Sequence, residues 1–356
     1  MHGWSENKDQ RGNIVILTDS ISCELDFDTD GKRIGNLDLT FSDNRHAFDT
    51  IPIPIAVIKN GVGPTILLTA GNHGDEYEGQ VILRRMIHEI DPRDVTGRII
   101  ILPALNYPAV LSNSRVSPLD NGNLNRSFPG VENGQPTSAI AHFVCSQLLP
   151  MCDAGIDLHS GGTACDILPS AFLCGCKDEA VLRRSLGLCE AFGAPYTFVV
   201  RGEDAATGYD PVAQSQGIAF MSTELGGGGR INIGALEIGI TGVRNVLAYL
   251  GIVGDPRTEE PQTRYLNGVD GFSSVSAPFS GIFQPLHKLG DYVDENQAAG
   301  ILFSIEEVDR VPLELSFKNS GVVLATRNGA RVRRGGHVYL VVEEVARGKA
   351  LELLQS

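Results

Sequence analysis

The sequence predicts an α/β fold that is followed by a smaller all-β unit. Between residues 66 and 103, apolar segments of strand length flank a segment with helical spacing, which is typical of a βαβ unit in a mostly parallel sheet. After residue 264 the pattern changes to short strands separated by turns. The chain has 356 residues, 42% of them hydrophobic, enough for one large core and a second, smaller one.

The N-terminal region, residues 1–44, is interpreted as a β extension. Strands are predicted over 13–18 and, within a polar region, over 37–41. The next strand, over 51–58, begins with two prolines, which place its start at the edge of a sheet. An Asn-Gly turn then leads to residues 64–70, so this strand and the next are predicted to form a hairpin.

Residues 45–256 are predicted to form the main α/β domain, and residues 265–350 a C-terminal β domain, with a linker over 255–264. Within the C-terminal domain, the sequence of residues 277–282 is weakly similar to that of residues 317–322, which suggests an internal repeat. The main domain is expected to contain helices over 79–90, 138–149, 177–192, 210–217 and 233–250, and strands over 66–70, 97–103, 153–159, 167–173, 196–200 and 218–225.

A histidine and a glutamate lie where the buried strand at 66–70 gives way to a helix. His73 and Glu76 are three residues apart, and His159 ends the later strand. Ligands bind in α/β proteins beyond the carboxyl ends of such strands, and catalytic zinc sites use three ligands of these types. An isolated His-x-x-Glu often occurs by chance, but a second strand-end histidine and neighbouring glycines favour a metal site. Asp157, two residues before His159, is placed to orient that ligand.

Residues 106–130 show no apolar periodicity and are interpreted as an ordered functional loop. Its two arginines, Arg115 and Arg126, each offer a planar set of donors suited to a carboxylate or a developing oxyanion. The alternative for either arginine is an ordinary solvated surface position.

Glu224 lies near the end of an apolar strand, directly before four glycines. Burying a carboxylate at such a position costs free energy unless the carboxylate is paired with another group or has a functional role. Beside a metal site it would be a typical general base, and the alternative is a strand-end glutamate that faces solvent. The glycine run lacks the pattern of a phosphate-binding loop.

The composition narrows the class of partner and the compartment. A net charge of −14 and a pI near 5.0 argue against binding to nucleic acid or an acidic membrane. Seven cysteines without framework spacing indicate reduced thiols. The N-terminus has no apolar signal region, and no apolar run is long enough to cross a membrane. We therefore expect a cytoplasmic protein.

The ordered set of His73, Glu76, the Asn125-Arg126 pair, His159 and Glu224 resembles the succinylglutamate desuccinylase/aspartoacylase family. The resemblance covers about residues 45–345 and implies a mixed sheet flanked by helices, as in zinc carboxypeptidases, followed by a small β domain like a barrel sandwich. A carrier domain of that type needs a lysine at its hairpin tip, but residues 306–312 contain none.

The resemblance also implies roles for particular residues. His73, Glu76 and His159 would bind one zinc ion per chain. Glu224 would be the general base, and Arg115 would face the scissile carbonyl. Asn125 and Arg126 would bind the carboxylate of the substrate.

The family resemblance favours an amidohydrolase that acts on a small N-acyl amino acid. The whole sequence is most similar to the subgroup that deacetylates N-acetyl-diaminobutyrate during ectoine breakdown. Deacylation of another N-acyl amino acid, a metallocarboxypeptidase activity, and a metal-binding protein without catalysis stay as alternatives. The oligomeric state is left open, a homo-oligomer included.

Overall fold

The structure is a computed structural model, and it describes residues 16–18, 20–42, 49–201, 208–254 and 263–355. In this part of the chain the strands form one sheet of 15 strands and a separate sheet of four. None of the described helices is long and apolar enough to cross a membrane.

The first four strands form an antiparallel ribbon at one end of the large sheet: β1 (Ile16–Leu17), β2 (Ile21–Cys23), β3 (Gly31–Phe41) and β4 (Asp49–Asn60). The strand predicted over 37–41 is thus the second half of a longer strand. Of the strand predicted over 13–18, residues 13–15 lie outside the described part of the chain, as does the boundary predicted at residue 44.

The central strands are β5 (Thr65–Ala70), β6 (Gly97–Leu102), β7 (Ala154–His159), β8 (Cys165–Cys174), β9 (Tyr196–Val200) and β10 (Ala219–Gly227). Their order in the sheet is β4-β6-β5-β7-β10-β8-β9. Strands β6, β5, β7 and β10 are parallel, whereas β4 is antiparallel to β6 and β8 is antiparallel to β10. Strand β9 is parallel to β8. The mixed sheet of the sequence prediction is therefore present.

The hairpin predicted between β4 and β5 is wrong. Strand β6 lies between them and pairs antiparallel with β4 and parallel with β5. The edge predicted from the prolines is confirmed, because Pro52 and Pro54 pair with β3 on one side while the pairing of β4 with β6 begins at Ala56. Proline has no N–H to donate to a neighbouring strand, so the part of β4 that carries the prolines suits an edge with one partner only. The second partner, β6, pairs with the part of β4 beyond the prolines.

The helices that flank the central strands are α1 (Glu78–Glu89), α2 (Tyr107–Ser112), α3 (Pro136–Phe143), α4 (Glu179–Phe192), α5 (Tyr209–Ser215) and α6 (Ile233–Tyr249). Helical structure continues after α3 through Val144–Leu148 and Leu149–Met151, which accounts for the longer helix predicted there. On β5, Ile66 and Leu68 join the core that includes α1, α4 and α6, whereas Leu67 joins the core that includes α3 and α5. The sheet is thus covered on both faces.

The C-terminal strands are short and end in one helix: β11 (Arg264–Asn267), β12 (Ser273–Ser276), β13 (Gly281–Pro285), β14 (Tyr292–Val293), β15 (Ala298–Ser304), β16 (Leu313–Ser316), β17 (Gly321–Arg327), β18 (Arg331–Val332), β19 (His337–Val345) and α7 (Arg347–Gln355). The four-stranded sheet has the order β16-β15-β13-β18. It shares an apolar cluster with β12, β17 and β19.

Hydrogen bonding continues from the central strands into the C-terminal ones. Strand β11 is parallel to β9, and β17 is antiparallel to β8. Residues 255–262 of the predicted linker, which include the boundary at 256, lie outside the described residues. The division into a domain over 45–256 and one over 265–350 stays a prediction, as does the barrel-sandwich class of the second.

Candidate metal centre

The candidate centre lies at the carboxyl ends of two neighbouring parallel strands. Strand β5 ends at Ala70, which pairs with Leu158, and β7 ends one residue later at His159. The loop after β5 carries His73 and Glu76 and leads into α1. A parallel pair therefore delivers both loops to one edge of the sheet, where α/β proteins bind ligands.

The structure brings His73, Glu76 and His159 together. The Nδ1 atom of His73 is 2.7 Å from Oε1 of Glu76, and the Nδ1 atom of His159 is 2.9 Å from Oε2. All three residues are buried, and one ligand atom from each lies within 4.8 Å of the others. Two imidazole nitrogens and a carboxylate that converge in this way could hold a metal ion.

The outer ring nitrogens of both histidines also have partners. Nε2 of His159 is 2.7 Å from Oδ2 of Asp157, which also accepts a hydrogen bond from Asn72. Nε2 of His73 is 3.2 Å from Oδ1 of Asn123. When each Nε2–H donates outward, the Nδ1 lone pairs face Glu76, which is the tautomer that ligation requires.

Charge and burial act in opposite directions on these side chains. Burial favours the neutral carboxyl of Glu76, but the neighbouring His159 and His73 outweigh it and lower its pKa to about 2. Burial opposes the charge of His159 as well, yet Asp157 and Glu76 raise its pKa well above the usual value. The pKa of Asp157 is lowered because its contact with His159 and its hydrogen bonds outweigh burial. These contacts therefore favour the ionised carboxylates of Glu76 and Asp157.

Glu224 lies beside this network on the next strand. Strand β10 is parallel to β7, and Glu224 is the register partner of His159. Its Oε2 atom is buried and has no hydrogen-bond partner among the described residues. Burial, together with the negative charge of Glu76, raises the pKa of Glu224 to about 8. An unpartnered carboxylate oxygen beside a possible metal site is available to handle a proton.

The two predicted arginines are held differently. Nη1 of Arg115 lies 3.4 Å from Oε1 of Glu76, and its side chain is 50% exposed. Arg126 is exposed and makes no ion pair within the described part of the chain. Asn125 uses its Oδ1 to accept a hydrogen bond from the backbone N–H of Tyr209, the first residue of α5. Arg115 is thus at the centre, whereas the Asn125-Arg126 pair is not in contact with its three ligand-type residues.

The segment 106–130 is more regular than the sequence predicts. It contains α2 and a single 3-10 turn, Leu124–Arg126. The loop of His73 packs closely on α2, since a Cβ on Gly74 would stand 2.0 Å from the carbonyl oxygen of Ala109. The backbone N–H of Gly74 also donates to Ser114. This close approach requires glycine and fixes the loop that carries two of the three converging side chains.

Asn328, in the turn between β17 and β18, reaches the loops that follow His159 and Glu224. The amide nitrogen of Asn328 donates to the carbonyl oxygens of Thr163 at 3.0 Å and of Gly228 at 3.1 Å. The backbone N–H of Asn328 donates to Ala164. The C-terminal β strands therefore help to position the candidate centre.

Sequence reasoning missed four contributors to the site, of which Asn72, the donor to Asp157, directly precedes His73. Asn123 lies two residues before Asn125, so its place in the same polar stretch was a usable signal. The backbone N–H of Ser160, which donates to Glu76 at 3.1 Å, follows from the position of Ser160 after His159. Asn328 is far away in the chain, and its contact depends on the pairing of β17 with β8.

The fold and the centre together define a class: an α/β enzyme whose buried His-Glu-His cluster could hold a metal ion beside an unpaired glutamate. Residues 62–250 match the family model described as the succinylglutamate desuccinylase/aspartoacylase catalytic domain. The chain belongs to this family, and it is a hydrolase that acts on amide bonds. The resemblance found in the sequence is thereby confirmed.

Several known proteins are similar to this one in sequence or in structure over nearly the whole chain. The N-alpha-acetyl-L-2,4-diaminobutyric acid deacetylase of Halomonas elongata is 38% identical over 326 residues, which cover 91% of this chain and 95% of that protein. A succinylglutamate desuccinylase/aspartoacylase structure from Rhodobacter sphaeroides is 40% identical, with a TM-score of 0.84 over 92% of this chain and 100% of that one. The product-bound ectoine utilization protein EutE (DoeB) of Ruegeria pomeroyi is 37% identical, with a TM-score of 0.85 and the same coverage.

Proposed function

We propose that this protein is a zinc-dependent amidohydrolase that removes the acetyl group from N-alpha-acetyl-L-2,4-diaminobutyrate. The observation that carries the proposal is the convergence of His73, Glu76 and His159 beside the unpartnered oxygen of Glu224. The substrate is supported by the relative from Halomonas elongata and by the ectoine utilization protein, which resemble this chain over more than nine tenths of its length.

The three converging side chains fit one zinc ion per chain. Two imidazoles and one carboxylate form a donor set that catalytic zinc uses, and three protein ligands leave a position for a small molecule. Asp157 and Asn123 orient the two histidines with their Nδ1 atoms inward, as outer partners do in metal sites. When bound, zinc supplies Lewis-acid chemistry that polarises a carbonyl and makes water more acidic.

The other residues of the site have separate roles in the reaction. Glu224 removes a proton from the attacking water and then returns it to the leaving amine. Arg115, beside Glu76, places a positive charge where the carbonyl oxygen becomes anionic. Arg126, which has no ion-pair partner among the described residues, binds the carboxylate of the substrate, and Asn125 holds the turn that presents it.

The proposed partner is therefore a small N-acyl amino acid rather than a macromolecule. The net charge of −14 supports this assignment, because it disfavours binding to nucleic acid and acidic lipid surfaces. The seven cysteines, which lack the spacing of a disulfide framework, support a cytoplasmic location for the enzyme.

The direct test is an assay of amine release from a panel of substrates. The panel contains N-alpha-acetyl-L-2,4-diaminobutyrate, other N-acetyl, N-succinyl and N-formyl amino acids, and short peptides, each with and without a chelator. We expect the highest kcat/KM for acetyl-diaminobutyrate, its loss with chelator and its recovery with zinc. Preference for another acyl group or for peptides would replace the substrate assignment, and turnover that resists chelation would contradict zinc dependence.

A further inference from the structure

Two buried polar atoms on neighbouring strands lack a hydrogen-bond partner. They are the hydroxyl oxygen of Ser170 on β8 and the Oε2 atom of Glu224 on β10, and neither has a partner among the described residues. Ser170 is 0% exposed, so solvent at the surface does not reach its hydroxyl. Buried polar groups in proteins are almost always hydrogen-bonded, so each of these two atoms needs an explanation.

The pairing of β8 with β10 places these two side chains next to each other. The strands are antiparallel, and Ser170 is the register partner of Glu224. Directly opposite residues of an antiparallel pair have their side chains on the same face of the sheet, with Cβ atoms about 5 Å apart. A rotation about the side-chain bonds of Glu224, or one bridging water, is enough to connect a hydroxyl and a carboxyl at that separation.

The neighbours of Ser170 on its other sides are apolar or already bonded. On β9 its register partner is Tyr196, whose hydroxyl accepts a hydrogen bond of 2.7 Å from Arg264. Phe172, two residues along β8, packs against an apolar cluster. The carboxyl of Glu224 is therefore the polar group that the strand pairing offers to Ser170.

We propose that Ser170 is a positioning residue for the hydrolysis, because its hydroxyl bonds the carboxyl of Glu224 and holds it toward the metal centre. The inference rests on the proposed role of Glu224 as the general base. A hydroxyl both donates and accepts, so it can pair with Glu224 before and after that carboxylate takes up a proton. A carboxylate has about four lone-pair positions, so this hydrogen bond leaves others for the attacking water.

The presence or absence of this contact leads to opposite expectations for Ser170→Ala. If the hydroxyl has no partner, its removal relieves an unsatisfied buried group, so stability and turnover stay the same or improve. If the hydroxyl bonds Glu224, its removal leaves a buried carboxyl oxygen without a partner. The carboxyl can then turn away from the water that it must deprotonate, so turnover falls.

The first experiment is a double-variant cycle on the hydrolysis of acetyl-diaminobutyrate by the zinc-loaded enzyme. Ser170→Ala should lower kcat about tenfold, the effect of losing one hydrogen bond to a charged group, with KM and zinc content unchanged. In the Glu224→Gln background the same change should have no further effect, because the group through which Ser170 acts can no longer take a proton. A purely structural defect would lower kcat by a similar factor in both backgrounds.

The second experiment measures the coupling without turnover, by urea unfolding at a saturating zinc concentration. Ser170→Ala and Glu224→Ala each leave one partner unpaired, so their effects on the unfolding equilibrium constant should depart from additivity by about threefold or more. Ser185→Ala is the matched control. Ser185 is a buried serine of α4 that accepts a hydrogen bond of 3.0 Å from the backbone N–H of Phe220 on β10, so its effect should add to that of Glu224→Ala.

Either of two results would overturn the proposal: additive effects of Ser170→Ala and Glu224→Ala on unfolding, or a Ser170→Ala enzyme with the natural kcat. If Ser170→Ala is fully active while Glu224→Gln is not, the contact is refuted and the proposed function stands. If the natural chain does not hydrolyse acetyl-diaminobutyrate, the substrate assignment fails, and the unfolding cycle still decides whether Ser170 and Glu224 are bonded.

Discussion

The candidate site has two sides, which differ in how their side chains are held. The strand side consists of the residues at or just after the ends of β5 and β7, and the loop side consists of the arginines of the segment 106–130. On the strand side, His73, Glu76 and His159 are buried, and each has at least two polar contacts of defined length. On the loop side, Arg126 is exposed and Arg115 is half exposed, with one long contact. The side proposed to bind the metal is therefore preorganised, whereas the side proposed to bind the substrate still has unused donors.

This contrast teaches where each kind of substitution should act. A change on the strand side disturbs a network whose members depend on one another, so it should alter metal affinity, turnover or stability. A change on the loop side removes a contact that forms when the substrate binds, so it should alter KM most.

The largest effect is expected for Glu224→Gln, which keeps the shape of the side chain and removes its ability to take a proton. Zinc content should be unchanged, and kcat should fall by about 10²- to 10⁴-fold. The matched control is Glu237→Gln, an exposed position on α6. Near-normal turnover in Glu224→Gln would remove this residue from the mechanism and assign proton transfer to another group.

The stability of the fold near the site should depend on Asp210 of α5, a buried carboxyl whose two oxygens both lie 2.8 Å from the Ser222 hydroxyl that donates to it. Burial, with the nearby charge of Asp157, raises the pKa of Asp210 from 3.8 to about 6. An acid with a raised pKa binds its proton more tightly when folded, so its ionisation destabilises the fold as pH rises through this window.

Asp210→Asn removes that titration and should therefore remove its contribution to the loss of stability. Relative to the natural chain, its free energy of unfolding should improve by on the order of 2 kcal/mol between pH 4 and pH 7, since each pKa unit corresponds to about 1.4 kcal/mol. Urea unfolding of chelated protein at several pH values measures this difference. A difference that is the same at all pH values would show that Asp210 has no raised pKa.

A smaller effect is expected for Asp157→Asn, which weakens the orientation of His159. Loss of an outer partner typically lowers metal affinity by about 10- to 100-fold. Competition with a zinc-binding dye measures the affinity. Asp153→Asn is the control, because Asp153 precedes the same strand and accepts its hydrogen bond from the backbone of Thr65. Equal affinities in the two variants would mean that the contact of Asp157 is structural alone.

The smallest effect is expected on the loop side, from Arg126→Ala. Loss of a hydrogen bond to a charged group corresponds to about tenfold in kcat/KM, mainly through KM. Zinc content should not change. Arg93→Ala is the control, because that arginine is 88% exposed and pairs with Asp91 away from the site. A fall in kcat with unchanged KM would instead assign Arg126 to the transition state.

The strand side was the more predictable part of the sequence. The spacing of His73 and Glu76 after one buried strand and of His159 at the end of another predicted that they meet, because parallel neighbours end at the same edge. Local patterns could not reveal that β6 inserts between β4 and β5, since strand order depends on pairing between distant segments. The contact of Asn328 with Thr163 could not be predicted from the sequence for the same reason.

The loop side was less predictable because its structure is set by packing rather than by periodicity. Helix α2 spans Tyr107–Ser112 in a segment without apolar spacing, with a proline in its first turn and Asn113 in a left-handed conformation at its end. From the sequence, Arg115 and Arg126 were given the same possible roles. The structure separates them, because Arg115 contacts Glu76, whereas Arg126 makes no ion pair in the described part of the chain.

The most direct test of the central claim is the metal content of the purified protein, measured by inductively coupled plasma mass spectrometry. We predict about one zinc per chain in the natural protein and in the control His287→Ala, whose histidine bonds the carbonyl oxygen of Ala298. We predict near-complete loss in His73→Ala, Glu76→Ala and His159→Ala. Full zinc content in any of these three variants would contradict the claim that they form one metal site.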